Sequence, residues 1–565
     1  MDEKVETERV EETTTAGNNE PAKSQPLMRS GLDNLSIWES LRRYKVVTMI
    51  AMAAAFSASL DGYQINLNGG VVSNKGFIQQ MAKPGTLIID GKYISAWGGI
   101  QSAGQTVGQI LLQYVTDGYG RKIALYVIFL TFVISVMIES FATHWDHWLV
   151  AKLFSGMGVG MLQSTMPLYL AEISPTQLKG FLINAYSFWF VIGQLFASVA
   201  LNRLNASDPY NFRTPIYTQV RLPSKLTWTG LTMQWAMVGI AGMIFIALPE
   251  SPWWLVGKDR HENAGRVLRV CNGNVQGYDV QEQIGIMTAT IAEERHVAAR
   301  NSQQGMWAVF QGRNFIRFII AGWPKITQQF VGLSVFNTYA TYFFQYAGNS
   351  DPFLVTLILS CVQIISMIVT CTLTDQLGRR PLTVYPYGVT VLSVLALGIV
   401  GCFDYTTSSL SSLLIFFACL ATFSTTGASA IGYAYAAEIP SQRLRAQTAA
   451  FSLASSNMVA IMFSFCTPLM INGGSTKWGV KTGFLYAHFS PWWVEGMDAD
   501  FGSSFAATGA ISVLVAWFIL PEVTRRTPGE IDELFEKRVN LRKFDEYVTD
   551  VQINATGREK GDVVA

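Results

Sequence analysis

From Tyr44 to Leu520 the chain returns repeatedly to apolar stretches of about 18–23 residues, the length that crosses a bilayer as a helix. A segment in lipid must satisfy its backbone hydrogen bonds internally, which helices of this length do and open strands do not. Twelve spans are expected, near 44–66, 94–115, 123–143, 148–170, 181–202, 228–248, 318–346, 353–374, 382–402, 410–436, 448–471 and 501–520. They divide six and six around a charged segment, about 250–315, whose runs KDRHENAGRVLRV and EERHVAARN have the pattern of a solvated helical linker. The expected organisation is an all-α membrane protein: a disordered tail (1–43), a six-helix bundle (44–249), the linker (250–315), a second bundle (316–520) and a tail (521–565).

Composition removes other classes. Charged residues make up 14% of the chain, against about 25% in soluble domains, so a soluble enzyme is excluded. The 41 basic and 40 acidic residues leave no surplus for a nucleic acid partner. Five cysteines (Cys361, Cys371, Cys402, Cys419 and Cys466) lie in or beside apolar stretches and Cys271 lies in the charged segment, without a CxxC pair. They read as buried free thiols. Arg42, Arg43, Lys45, Arg121, Lys122, Arg379, Arg380, Arg443 and Arg445 all fall on one side if both termini are cytoplasmic. The loop after the fifth span then faces outward, despite Arg203, Arg213, Arg221 and Lys225. It offers Asn205 of Asn205-Ala206-Ser207 for glycosylation, whereas the Asn554 sequon would be cytoplasmic.

Three motifs recur in order. Asp117-Gly-Tyr-Gly-Arg-Lys122 returns as Asp375-Gln-Leu-Gly-Arg-Arg380, 258 residues on (375 − 117). Ala171-Glu-Ile-Ser174 returns as Ala437-Glu-Ile-Pro440 (437 − 171 = 266), and Pro249-Glu250 as Pro521-Glu522 (521 − 249 = 272). Two similar halves in parallel topology follow, an arrangement of secondary transporters with the site between the halves near mid-membrane.

At these residues the chain resembles the sugar porter family of the major facilitator superfamily, over about 44–535. The motifs are DGYGRK (117–122), LAEISPTQLKG (170–180), PESPWWL (249–255), ITQQFVGLS (326–334), DQLGRR (375–380), AAEIPSQRLRA (436–446) and PEVTRRTPGEIDELF (521–535). PESPWWL and the C-terminal tail look most like fungal hexose and α-glucoside carriers. The resemblance implies the twelve-helix major facilitator fold and a functional monomer in the plasma membrane. It implies transport by rocking of the halves, with no covalent chemistry, cofactor or metal.

Asp117, Gly120, Arg121, Asp375, Gly378, Arg379 and Arg380 would form tight cytoplasmic turns, with Arg445 nearby. The arginines can pair with Glu172, Glu438, Glu250 and Glu522 as a gate that locks the outward-facing state. The same charges would also serve simply to anchor helix ends at the headgroups.

A neutral polyol calls for amides, hydroxyls and aromatic faces. On the seventh span Gln328 and Gln329 match the family's paired sugar-binding glutamines, followed by Gly332, Ser334, Asn337, Thr338 and Tyr339; interhelical bonding is their alternative use. Ser334 replaces a usual Asn, and Ser187 a usual Gln. Gln194 follows Gly193. Gln363, Tyr433 and Asn457 stand at or near further family positions, with packing as the alternative for the last two.

Coupling is less regular. Proton-coupled relatives carry Asp after the Gly-Tyr of the first span, where this chain has Gln64; Asp61, three residues earlier, can substitute, with Lys152 able to pair with it or with Glu172. Proton symport and facilitated diffusion both remain open. Lys325, one turn before Gln328, either contacts acidic or non-sugar cargo or snorkels to an interface. Residues from His488 interrupt the apolar run that begins at Lys481-Thr-Gly-Phe-Leu, as an outside loop or as retained intron sequence. The alternative functions are a carrier of a non-sugar polyol, organic acid or secondary metabolite, a sugar receptor, and a polytopic enzyme. The short tail weighs against the receptor. His144, His147, His261, His296 and His488, all in loops or at span ends, weigh against the enzyme.

Overall fold

The computed structural model describes residues 37–81, 89–175, 178–207, 210, 233–275, 277–300, 306–332, 337–346, 351–400, 408–472, 504–524, 526–550 and 552–553. Among them a helix stands at every expected span. The first half holds α1 (Lys45–Val71), α2 (Gly91–Tyr119), α3 (Arg121–Phe141), α4 (Trp145–Ile173), α5 (Lys179–Ser207) and α6 (Met233–Ala247). The second holds α7 (Gly312–Phe330), α8 (Pro352–Leu377), α9 (Arg379–Val400), α10 (Ser408–Glu438), α11 (Arg445–Asn472) and α12 (Ser504–Ile519).

Seven of these, α1, α3, α5 and α8 to α11, are long and apolar enough to cross a membrane by length and composition. α6 and α12 are shorter apolar helices. The other three, α2, α4 and α7, carry amides, glycines and buried charges on inward faces, which lowers their mean hydropathy. They are the helices a polar centre requires.

Within the halves α1 packs on α5, α2 on α4, and α7 on α10 and α11. Across the halves α2 lies against α11 and α5 against α8. The α2–α4 contact rests on two GxxxG pairs. A side chain at Gly156 or Gly160 would strike the Gln101 or Gln105 carbonyl, and one at Gly104 or Gly108 the Leu153 or Met157 carbonyl. Close backbone approach of this kind is how helices associate where lipid competes equally for apolar side chains.

Several expectations change. The seventh span is not continuous: α7 ends at Phe330, Gly332 takes φ 91°, and a separate helix runs Ala340–Tyr346. A residue with that φ cannot continue a right-handed helix. Ile37–Arg43 is helical, so only 1–36 of the expected tail lie outside the described residues. The 250–315 segment is packed as well as charged: Pro252–Gly257, His261–Asn272 and Val280–Arg300 share a small core of Leu255, Leu268 and Met287. After α12 the helix Pro528–Glu536 is tied back to α7 by an Arg317–Asp532 ion pair. The five described cysteines form no disulfide with one another, but only Cys271 is buried; Cys361 is exposed on α8. Cys402, the Asn554 sequon and the interruption after Lys481 lie outside the described residues.

Candidate functional site

The motif pairs fold alike, bond by bond. Gly120 and Gly378 join α2 to α3 and α8 to α9 at φ 102° and 92°, a conformation L side chains rarely adopt. A Cβ there would also run into the carboxylate of Glu250 or Glu522 respectively. Those carboxylates accept from the first backbone amides of the next helix. Glu250 takes Arg121 and Lys122 N–H at 2.8 and 3.1 Å, and Glu522 takes Arg379 and Arg380 N–H at 3.0 and 2.9 Å. Each glutamate is thus an anion at a helix N-terminus. Tyr169 donates to the Pro249 carbonyl and Tyr435 to the Pro521 carbonyl, both at 2.9 Å.

The guanidiniums go elsewhere. Arg121 pairs with Glu172 at 2.7 Å and Arg379 with Glu438 at 2.7 Å. Both pairs lie within one half, and Glu250 and Glu522 bind backbone rather than arginine side chains, which corrects the expected pairing. Arg380 donates to the Trp517 carbonyl at 2.9 Å, and Arg445 is 1% exposed. Contacts that do cross the halves on this side are Gln447 to Asp117 at 3.0 Å and Asn184 to Thr374 at 2.9 Å. The Asp375 side chain lies outside the described residues.

Between the halves lies a cavity of about 120 Å³. Gln328, Gln329, Gln363, Tyr433, Asn457, Ser187 and Gln194 all line it; Ser334 lies outside the described residues. Gln194 donates to Asn337 Oδ1 at 2.5 Å. At the opposite end from the arginine turns, the cavity is bridged by Ser198 to Ser360 at 2.8 Å and Ser102 to Ser464 at 3.1 Å, while Tyr339 donates to the Ser464 carbonyl at 3.2 Å inside the second half. Cross-half contacts therefore stand on both sides of it.

Sequence reasoning missed a column of glutamines on α2. Gln101, Gln105 and Gln109 line the cavity and Gln113 is buried one turn further on. Their i, i+4 spacing inside one apolar span was the available signal. Several lining atoms have no hydrogen-bond partner among the described residues: Gln101 Nε2, both Gln109 amide atoms, Ser187 Oγ, Gln194 Oε1 and Asn457 Nδ2. Buried polar atoms normally find partners, so this lining is chemically incomplete.

Lys325 reaches the cavity and does not snorkel; it is 5% exposed. Asp61 lies behind the wall, accepting from Tyr186 Oη at 2.9 Å and Gln163 Nε2 at 3.3 Å. Lys152 pairs with neither Asp61 nor Glu172. It is bound to Glu139 of α3 at 2.9 Å, because Glu172 is already held by Arg121 and Asp61 by neutral donors. Gln64 and Gln234 donate to the other Glu139 oxygen at 3.4 and 3.0 Å. Asn205 is half-buried in the last turn of α5.

Comparison with known proteins gives a consistent picture. The chain is 26% identical to a general alpha-glucoside permease of Saccharomyces cerevisiae over 535 residues, covering 92% of this chain and 80% of the permease. It is 24% identical to hexose transporter 2 of Kluyveromyces lactis over 532 residues, covering 91% and 86%. Among solved structures it superimposes on a major facilitator proton:xylose symporter bound to 6-bromo-6-deoxy-D-glucose with a TM-score of 0.68, at 18% identity, over 87% of this chain and all of that one. The inward open xylose transporter from E. coli gives 0.58, also at 18% identity, over 86% and 99%. The twelve helices are thus arranged in the major facilitator fold. A family model described as "Sugar (and other) transporter" matches residues 50–535, and the chain belongs to that family.

Proposed function

We propose that the protein is a secondary carrier that moves a sugar, a hexose or α-glucoside, across the plasma membrane by alternating access, as a monomer with both termini cytoplasmic. The observation that carries this reading is the amide-rich cavity whose lining leaves donors and acceptors unmet. A solute with many hydroxyls would complete them, and Tyr433 offers a ring face for its C–H surface. Gln328 and Gln329 are the principal cargo contacts, with Ser187, Gln194, Gln363, Tyr433 and Asn457 around them. Ser334 belongs to the same set on sequence grounds.

The two arginine–glutamate pairs and the capping glutamates stiffen each half. The Asp117–Gln447 and Asn184–Thr374 contacts open when the halves part on the cytoplasmic side. Proton symport is assigned to Asp61, a buried carboxylate held by neutral donors. Asn205 is the glycosylation site.

The test is uptake of radiolabelled glucose and maltose in cells lacking their own sugar carriers, with and without a protonophore. Uptake abolished by the protonophore supports proton symport. Uptake indifferent to it makes the protein a facilitator. Neither sugar entering, with the protein shown at the surface, overturns the neutral-sugar reading.

A further inference from the structure

We propose that the cargo of this cavity is a polyhydroxylated carboxylate, a sugar acid, whose carboxylate is held by Lys325. The proposal rests on the carrier reading above and replaces its neutral sugar with an acidic one.

Lys325 is the one formally charged side chain among the described residues lining the cavity. Its ammonium donates to Ser429 Oγ at 3.1 Å and Gln328 Oε1 at 3.3 Å, and it lies 3.4 Å from the centre of the Tyr433 ring. All three are neutral acceptors. No carboxylate among the described residues comes within the 4.0 Å of an ion pair. The acidic group that feels its charge is Asp61, whose oxygens are occupied by Tyr186 and Gln163 behind the wall.

The fold is built to bring the lysine here. Its stem crosses α10 at Gly432, where a Cβ would sit 3.2 Å from Lys325 Cγ and Cε. Its backbone carbonyl is held by Ser456 at 2.9 Å. Three other buried cations named above, Arg121, Lys152 and Arg379, each have a carboxylate partner within 2.9 Å. An ammonium in a membrane interior is costly unless it has a counter-charge or a task. A cation beside unmet amides matches a solute with hydroxyls along its length and one negative end, because charge-assisted hydrogen bonds are the stronger ones. A neutral hexose would satisfy the amides and leave the cation as it is.

The test compares D-glucuronate with D-glucuronamide, which has the same shape without the charge, and with D-glucose. Binding is measured by isothermal titration on the purified full-length protein in lipid nanodiscs at pH 6.5. The expected result is glucuronate bound at least tenfold more tightly than glucuronamide, with that ratio falling toward one in Lys325→Gln and retained in Lys325→Arg. The wild-type ratio stands alone if Lys325→Gln fails to fold. A ratio near one in the wild type, or a ratio that survives Lys325→Gln, overturns the proposal. If glucose binds and glucuronate does not displace it, the sugar-carrier reading stands while the acid cargo falls. If none of the three binds, the acid cargo falls and so does the hexose reading.

Discussion

Lys152 Nζ stands 2.9 Å from Glu139 Oε1, with both side chains at 0% exposure. The ammonium also faces the Trp148 ring at 4.7 Å. This pair ties α3 to α4 inside the first half, and Gln64 of α1 donates to the other Glu139 oxygen at 3.4 Å. Breaking a buried pair from one side leaves an uncompensated charge and costs about 3–5 kcal/mol. Glu139→Gln is therefore expected to lower the melting temperature sharply in fluorescence-detected size exclusion. The double variant Lys152→Met/Glu139→Leu should recover most of the loss, and a double no more stable than the single contradicts the pairing.

Gln328 is expected to matter through cargo rather than through stability. Removing its amide leaves hydroxyl partners unpaired, at about 1–3 kcal/mol, or roughly 5- to 150-fold in apparent affinity. Gln328→Ala should raise the half-saturating concentration for uptake by that range with surface expression unchanged. Unaltered uptake would assign the residue to interhelical packing.

Gly120 and Gly378 demand glycine twice over, for their positive φ and for the carboxylate beside each. Alanine at either site should cost about 1–3 kcal/mol, seen as a lower melting temperature. Gly118, with open space around its Cα, is the control: Gly118→Ala should be nearly neutral or slightly stabilising in the last turn of α2.

Asp117 and Gln447 meet across the halves at the end of the arginine turns, at 3.0 Å. Cysteines at both positions, joined by a short bifunctional crosslinker, should hold that side shut and stop uptake. A cleavable linker should restore uptake on reduction. Transport that continues in a fully crosslinked sample would refute the gate.

Cys271 is 2% exposed, and burial pushes its thiol up to about 11. Its reactive thiolate is scarce at neutral pH. Alkylation at pH 7.5 should be about 100-fold slower than for an ordinary thiol, given roughly tenfold per pKa unit. The rate should climb with pH toward 11 and become ordinary in denaturant. Peptide mass spectrometry separates this site from Cys361.

The spans and the motif pairs were legible because lipid imposes helix length and because duplicated turns keep their glycine, arginine and glutamate. What each charge binds was less legible. Arg121 and Glu172 are joined as expected, but Glu250 turns to backbone amides, since its position beside the start of α3 is set by how the chain leaves α6. Lys152 and Glu139 are only 13 residues apart, yet they face each other across a helical hairpin whose rotation no one-dimensional pattern gives. The break at Gly332 was hidden inside an apolar run. The glutamine column of α2, by contrast, could have been read from its four-residue spacing.

That column has a kinetic meaning. From Gln101 to Gln113 the α2 axis advances roughly 18 Å at about 1.5 Å per residue, with an amide at every turn. A solute leaving the centre along this helix trades one amide for a chemically identical one a turn away, so it is never stripped of all its partners at once. On the proposed carrier reading, such a run of amides would favour rapid turnover over tight retention.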